Sequence, residues 1–522
     1  MHYITGTDRN QLQLYTSLED SISPENAVRL IDKLVDLLYQ KDPAQYIYKG
    51  QSLRGRKSYH PTLFLKLYLY GYLNRISSSR RLETETYRNI ELKWLMCDLH
   101  PDFKTISDYR KDNGNAIREM TLGFRNFLKK EGYIEGNKII FDGTKVKACT
   151  SKEKIWTNTI IASRITHMEE LLDGYLSKLE ENDQTEDSSM ELSVSMAEMS
   201  KKIELLNQEI EKLKSIQAQL KEKSKNTYCV TDPQARLLPS RDGYIPGYNV
   251  QVGVDGKNQM IVLDEVIKDG NDSNALEENF TKIQEQMEIV PEIVEADRGY
   301  GNIAQIAHIE SNGKTQCAIP LAESRSQTHN RKNGVSFIYN ESEDTYICSW
   351  GRKLRRKQRT AKHGDTVFYI YQASKDYCLR CPLFGKCTRS KQGRTLKVSE
   401  HESYRRDHIQ RMESDQMKEL IRERKSQIEH VFGTVKRWMG KVPLLLRSRK
   451  KVQIEIDLYT TAYNIKRLCS LSSIPYLLSR IANSLSELNK SLFHSLISTF
   501  IVLNSLFGAI SLFKKQRGCV LI

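Results

Sequence analysis

The chain has 522 residues, enough for about three or four domains, and its 39% hydrophobic and 28% charged content is typical of a globular protein with a sizeable core. Its formal net charge is +15, from 80 Lys and Arg against 65 Asp and Glu. This balance favours a polyanionic partner, nucleic acid first, over a merely soluble basic surface. A start without a secretory pattern and 10 cysteines argue against a disulfide scaffold, so we expect reduced thiols or metal ligands and a cytoplasmic location.

Residues 1–130 are predicted to form a mostly helical N-terminal domain. An apolar face follows Ser23-Pro-Glu-Asn, and His60-Pro-Thr opens a second helix. Arg80 and Arg81 follow a run of serines and suit contact with phosphate groups. A solvated helix face explains these arginines equally well.

The hydrophobic pattern changes near residue 138, where short apolar or alternating runs begin to predict strands. The predicted strands lie at 138–142, 248–255, 260–267, 292–297 and 316–320, and the predicted helices at 275–287, 302–311 and 426–438. The order of three strands, helix, strand, helix, strand and a late helix indicates an α/β fold, a mixed sheet with flanking helices.

Two segments interrupt this predicted core. The first, 150–228, carries apolar residues at alternating three- and four-residue spacing between Met196 and Leu220, with Gln217 in one of the seam positions. This spacing is typical of a coiled coil, as an inserted helical hairpin with 168–179 or as a dimer contact. The second, 321–405, is basic and rich in cysteine.

Three acids stand out by their context. Asp142 and Asp297 each end a predicted strand, and Glu429 lies on the predicted late helix. A carboxylate at the end of a buried strand needs a partner, and a hard cation such as Mg²⁺ is one. Two such ions can activate a water or a 3′-hydroxyl in phosphodiester chemistry. A helix cap or turn residue is the alternative for each acid taken singly.

Several motifs in a fixed order carry a resemblance to a known family. They are Phe141-Asp-Gly-Thr-Lys-Val-Lys-Ala148, Gly247-Tyr-Asn-Val-Gln251, Glu295-Ala-Asp-Arg-Gly-Tyr300 and Ile428-Glu-His-Val-Phe-Gly-Thr-Val-Lys-Arg437. With weaker matches, they cover roughly residues 25–470, and the chain resembles the DDE transposases of bacterial insertion sequences.

The resemblance implies a ribonuclease-H-like catalytic domain over 131–470, with Asp142, Asp297 and Glu429 holding two Mg²⁺ or Mn²⁺ ions. It implies double-stranded DNA as partner, both the element's terminal inverted repeats and the target, and a homodimer on DNA. Many relatives carry a Tyr and an Arg seven and four residues before the glutamate, where this chain has Arg422 and Lys425. Lys425 can still meet a phosphate, but as a point charge.

Basic residues near these motifs are expected to contact DNA phosphates, although a solvated surface is the usual explanation of such charge. The candidates are Arg80, Arg81, Lys145, Lys147, Arg298, Lys425, Lys436 and Arg437.

Four thiols of the second interruption are candidate zinc ligands. Cys378 and Cys381 form a Cys-x2-Cys pair, with Cys387 five residues further on and Cys348 upstream. This spacing favours a structural Zn²⁺ site over a set of free thiols.

The predicted C-terminal tail, 471–522, is apolar and helical. Residues 492–513 lack Asp, Glu, Lys and Arg, which favours a buried or self-associating helix over a membrane span. Three rivals to the transposase remain: a metal-dependent nuclease without strand transfer, a catalytically silent sequence-specific DNA-binding protein, and a coiled-coil scaffold with a membrane anchor.

Overall fold

The structure is a computed structural model and describes most of the chain. The described residues are 17–46, 57–184, 190–222, 226–240, 243–321, 329–330, 335–363, 366–439 and 444–490.

Several helices begin at a side-chain cap. The side chain of Asn26 accepts a hydrogen bond from the Val28 N–H, and that of Asp102 accepts from the Lys104 and Thr105 N–H groups. The helices are α1 (Ala27–Lys41), α2 (Pro61–Leu73), α3 (Ser79–Arg88), α4 (Ile90–Leu95), α5 (Phe103–Asp112), α6 (Gly114–Lys130), α7 (Asn158–Gln184), α8 (Met190–Glu222), α9 (Leu276–Met287), α10 (Ile303–Glu310), α11 (Lys375–Leu379), α12 (Glu402–Met412), α13 (Asp415–Met439), α14 (Arg449–Leu471) and α15 (474–490).

The strands fall into a central sheet, a second sheet and a short ribbon. They are β1 (Lys138–Lys147), β2 (Ile155–Thr157), β3 (Thr227–Cys229), β4 (Arg236–Ser240), β5 (Gly243–Asp255), β6 (Ile261–Ile267), β7 (Ile293–Glu295), β8 (Gln316–Ala318), β9 (His329–Asn330), β10 (Val335–Asn340), β11 (Thr345–Cys348), β12 (Lys353–His363), β13 (Thr366–Ala373) and β14 (Thr395–Ser399).

The central sheet is mixed. β5 runs antiparallel to β1 along one edge and antiparallel to β4 and β6 along the other, while β7 is parallel to β1 and β8 is parallel to β7. β5 is therefore covered on both sides, and residues 246–255 of it are all buried. The mixed α/β architecture and the predicted order of β1, β5, β6, α9, β7, α10 and β8 are confirmed. The edge strand β4 was not predicted.

One hydrophobic core joins the N-terminal helices to one face of this sheet. Leu30, Phe64 and Phe124 belong to the same buried cluster as Phe141 of β1 and Leu458 of α14. A second cluster covers the opposite face, where Ile428 and Val431 of α13 pack with Ile140 and with residues of α14. The main core thus crosses residue 130, where the sequence predicted a domain boundary.

The first interruption forms a helical hairpin on a two-stranded ribbon. β2 and β3 pair antiparallel at its base, and α7 packs against α8 through a separate buried cluster. The buried residues of α8 in that cluster are Ile210, Leu213, Ile216 and Leu220. Ile216 is buried where the predicted seam used the neighbouring Gln217. Because the two helices pack within one chain, the arrangement is the hairpin; the dimer contact stays a prediction.

The second interruption contains an antiparallel sheet that the sequence did not predict. Its strand order is β14-β13-β12-β11-β10-β9, and its small core includes Phe337, Tyr346, Leu354 and Leu396. The four predicted zinc ligands lie at one end of this sheet.

The predicted C-terminal tail begins with α15, whose Ile474, Leu477 and Ile481 pack into the main core. The apolar segment 492–513 lies outside the described residues. Among the helices that the structure describes, none is both long and apolar enough to cross a membrane.

Candidate active site

Asp142 lies on β1 directly after the buried residues Ile139–Phe141. Its Oδ1 accepts a hydrogen bond from the Gly143 N–H at 2.8 Å. Burial raises the pKa of the Asp142 carboxyl to about 6, with Asp297 and Asp272 adding to the increase. Arg424 and the Gly143 N–H act in the opposite direction. A carboxylate with this environment is stabilised by added positive charge.

Asp297 follows β7, which is parallel to β1 with Ile140 opposite Glu295. Continuing this register past the end of β7 places Asp297 opposite Asp142, which lies in the middle of β1. Its Oδ1 accepts from the Gly299 N–H at 2.7 Å, which fixes the turn that follows. The structure therefore brings together the two aspartates that the sequence selected.

A third aspartate, Asp272, lies at the same place and was missed by the sequence analysis. It sits in the loop between β6 and α9, and its Oδ1 accepts from Asn249 Nδ2 at 2.8 Å and from Gln251 Nε2 at 2.6 Å. It contributes to the raised pKa values of Asp142 and Tyr300. It lies five residues past the end of the predicted strand 260–267, so the criterion that selected Asp142, an acid at the end of a strand, did not select it.

A buried amide connects Asp272 to the turn that carries Asp297. The Oε1 of Gln251 accepts from the Tyr300 hydroxyl and from Asn279 Nδ2. Gln251, Asn279 and Tyr300 are each at most 1% exposed. Buried polar groups that satisfy one another in this way hold a fixed geometry.

Glu429 is not brought to the aspartates. It lies on α13, beside Ile428, which packs on the sheet face, but its own side chain is exposed and makes no ion pair among the described residues. Arg424, five residues earlier, is the α13 residue that affects the pKa of Asp142. Arg424 Nη1 is buried without a hydrogen-bond partner in the described part of the chain. The sequence analysis did not select Arg424.

Glu295 is a fully buried acid two residues before Asp297. The Nζ of Lys138 lies 3.6 Å from its Oε1 and 3.2 Å from Glu423 Oε2. Burial raises the pKa of Glu295 to about 7, and Lys138 limits the increase. Lys138 and Glu295 thus form an ion pair between β1 and β7, the two strands that carry the aspartates into the site.

The candidate DNA contacts lie on several elements. Arg80 stacks over the Phe103 ring at 5.0 Å, and Arg81 lies 4.0 Å from Glu85. Lys145, Lys147, Arg298 and Lys425 are exposed, the first three close in sequence to Asp142 and Asp297. The side chains of Lys436 and Arg437 lie outside the described residues, although α13 includes both positions.

The four cysteines of the second sheet line one small cavity of about 30 Å³. Cys378 Sγ accepts from the Arg394 N–H and Cys381 Sγ from the Leu383 N–H, both at 3.4 Å. Burial raises the pKa of Cys387, Arg394 lowers it, and the other three thiols raise it. All four are free thiols.

Neither cluster is arranged as a finished metal site. Among the described residues, no group of three or more His, Cys, Asp or Glu side chains could hold a metal ion as they stand. The donor chemistry of both clusters nevertheless fits a cation: neighbouring carboxylates, of which Asp297 and Asp272 raise the pKa of Asp142, suit Mg²⁺ or Mn²⁺, and four thiols around one cavity suit Zn²⁺.

Comparison with known proteins gives two family matches. Residues 16–112 match the family described as Transposase domain (DUF772), and residues 347–469 match Transposase DDE domain. The second match includes Glu429 and the four cysteines but neither aspartate.

No curated protein matches the chain. A solved structure of the piggyBac transposase synaptic complex with hairpin DNA is 9% identical, covering 89% of this chain and 81% of that one, with a TM-score of 0.32. A likeness at that level carries no argument about the site. The two family matches, with a transposase domain first and a DDE domain after it, confirm the predicted resemblance to the DDE transposases of insertion sequences.

Proposed function

We propose that this protein is the transposase of an insertion sequence, which binds the terminal repeats of its element and cuts and joins DNA strands. The observation that carries the proposal is the pair Asp142 and Asp297: Asp142 lies in the middle of β1, and the parallel register with β7 places Asp297, two residues past the end of β7, opposite it. The strand order β6-β5-β1-β7-β8, with only the last two pairings parallel, supports a ribonuclease-H-like catalytic domain. The domain boundaries at 130 and 470 belong to this proposal.

Asp142 and Asp297 would hold the divalent cations, with Glu429 as the third carboxylate of the proposed triad. When bound, Mg²⁺ or Mn²⁺ ions would activate a water or 3′-hydroxyl for attack and would stabilise the leaving oxygen. The backbone N–H groups of Gly143 and Gly299 each donate to one oxygen of an aspartate, which would leave the other oxygen of each for the cations. Glu429 would have to turn towards the sheet from its exposed position.

DNA is the proposed partner, and the exposed cations around the aspartates would neutralise its backbone. Lys145 and Lys147 continue β1 beyond Asp142, and Arg298 directly follows Asp297. Each phosphate contact that is lost should reduce the log–log salt slope of DNA binding by about 0.9. Because two element ends must be joined, we propose at least a homodimer on DNA.

The test is Mg²⁺-dependent cleavage and strand transfer on DNA that carries the terminal repeats. Asp142→Asn, Asp297→Asn and Glu429→Gln should each lower the cleavage rate by at least about 100-fold, since several kcal/mol of transition-state stabilisation are lost. Glu419→Gln, another exposed glutamate of α13, should cleave like the wild type.

Each alternative function predicts a different result in the same assay. Cleavage without strand transfer would identify a nuclease, and DNA binding without cleavage would identify a silent DNA-binding protein. A chain that neither binds nor cleaves the DNA would favour the scaffold. Full cleavage by Glu429→Gln alone would remove Glu429 from the triad.

We also propose a structural Zn²⁺ at Cys348, Cys378, Cys381 and Cys387. The second sheet has a small core, so a metal would add stability that packing alone cannot supply. Purified protein should contain about one zinc per chain, and Cys381→Ser should lose the metal and lower the melting temperature. Cys97→Ser, which changes an exposed thiol elsewhere, is the control. Zinc-free protein that keeps its melting temperature would reject the site.

A further inference from the structure

Asp272 is held in the candidate active site by the side-chain amides of Asn249 and Gln251. Asn249 and Gln251 are 2% and 0% exposed and lie on β5, in register with Lys145 and Gly143 of β1. Both amides donate to the same oxygen, Asp272 Oδ1. Burying two amides costs free energy, which their hydrogen bonds to the carboxylate offset. The same bonds fix the position of this loop carboxylate.

The ordinary structural roles of a loop aspartate do not apply to Asp272. α9 begins after Ala275, and no side chain caps it; Asp272 takes part only through its carbonyl, which accepts from the Ala275 N–H at 3.1 Å. The carboxylate of Asp272 makes no ion pair within 4.0 Å in the described part of the chain. The two side chains that donate to it are neutral amides, so among the described residues no cation lies within that distance of the carboxylate.

Two glycines leave room for Asp272 beside the other aspartates. A Cβ at Gly143 would lie 2.4 Å from Asp272 Oδ1. A Cβ at Gly299 would lie 2.8 Å from Asp297 Oδ1 and 3.7 Å from Asp272 Oδ2. The turn after Asp297 and the loop of Asp272 thus face each other across a space that a larger residue would fill.

We propose that Asp272 is a third aspartate of the cation site, with Oδ2 contributing to the divalent cations that Asp142 and Asp297 hold. Oδ1 is committed to the two amides, whereas Oδ2 has no hydrogen bond among the described residues and lies towards the Asp297 turn. In the described part of the chain the three carboxylates do not yet form a metal-binding group, so their side chains would have to close on the cation, for which carboxylate oxygens are the preferred ligands. The proposal rests on the proposed function, because it assumes that Asp142 and Asp297 bind cations.

The test measures Mn²⁺ binding to the full-length protein without DNA, by electron paramagnetic resonance. Asp272→Asn should weaken binding at least about 10-fold, as should Asp142→Asn. Asp269→Asn, which changes another aspartate of the same loop, should bind Mn²⁺ like the wild type. Melting temperatures are recorded without metal, and Asp272→Ser, which also removes the charge, replaces Asp272→Asn if that variant is not folded.

The outcomes separate this proposal from the one on which it rests. Weakened binding in Asp142→Asn with wild-type binding in both Asp272 variants would overturn the role of Asp272 and leave the proposed function standing. Wild-type protein that binds no Mn²⁺, or an Asp142→Asn variant that binds it normally, would overturn both.

Discussion

Each aspartate of the candidate active site is oriented by an N–H group close to it. Asp142 and Asp297 accept from the backbone of glycines one and two residues later, and Asp272 accepts from side-chain amides. A carboxylate fixed in this way keeps its remaining oxygen available in one direction, which is what pre-organised catalysis requires. Small changes next to these residues should therefore have large effects.

Gly143→Ala should lower the rate of DNA cleavage by at least about 10-fold with little loss of overall stability. The added methyl group would lie 2.4 Å from Asp272 Oδ1, so that carboxylate must move by an ångström or more, a displacement that can cost about 100-fold in rate. The control is Gly174→Ala on α7, where nothing lies within 4 Å and the substitution favours the helix. Unchanged cleavage by Gly143→Ala would show that Asp272 can shift without consequence.

The sequence predicted two of these three aspartates, and the physical reason is local. Asp142 and Asp297 follow short apolar runs, so their burial can be read from their neighbours. Asp272 lies in Lys268-Asp-Gly-Asn-Asp-Ser-Asn, a run of residues typical of a turn. Asn249 and Gln251 have the polar character of a solvent-facing strand side, although both are buried. Only the tertiary fold reveals that they bond to Asp272.

At the scale of elements, the spacing of apolar residues predicted helices and strands well where one face of a segment packs against a single partner. The α7–α8 hairpin has such a seam, and its core is separate from the other clusters. The second sheet escaped prediction because β12 is a strand of mostly charged residues, with Leu354 its only fully buried member among those described. Charge runs of this kind do not show the alternation that identifies a strand.

Leu213→Ala should weaken the hairpin without weakening the rest of the protein. Leu213 is 2% exposed within the hairpin core, so the substitution should cost about 2–5 kcal/mol of local stability. Hydrogen exchange should increase in α7 and α8 and stay unchanged in the central sheet. Leu205→Ala on the same helix, where the side chain is 59% exposed, should change little. Increased exchange throughout the molecule would show that the hairpin and the main core unfold together.

At the scale of the whole molecule, a buried ionic cluster joins the N-terminal helices to the sheet and to α14. Arg118 of α6 donates to Asp264 of β6 at 3.0 Å and to Asp457 of α14 at 2.6 Å. Arg125 of α6 lies 2.7 Å from Asp264, which also accepts from Thr460. Ion pairs thus connect α6, β6 and α14, which are distant in sequence. Arg118 and Asp457 also line a groove whose other lining residues include Asp269 and Asn271 of the β6–α9 loop. Sequence alone cannot predict this cluster, because the charged residues of α6 look solvent-facing.

Replacing either aspartate of this cluster, Asp264 or Asp457, by asparagine should change the stability of the protein in opposite directions. Asp457 Oδ1 accepts from Arg118 and Gln453, but its Oδ2 is buried without a hydrogen bond, so an asparagine can keep both contacts. Burial, and then Asp264, raise the pKa of Asp457 from 3.8 to about 7. Between these values the native state holds a proton that the unfolded state has lost, so wild-type stability falls as pH rises through this window.

Asp457→Asn should therefore be more stable than the wild type at pH 8, by about 2 kcal/mol, with the difference closing as pH falls towards 4. Asp264→Asn should be less stable at both pH values, because it leaves Arg118 and Arg125 short of negative charge in the core. Urea unfolding at the two pH values measures both effects. A loss of stability in Asp457→Asn at pH 8 would mean that the ion pair with Arg118 outweighs the cost of burying the second carboxylate. In that case the contact between α6 and α14 would depend on both acids together.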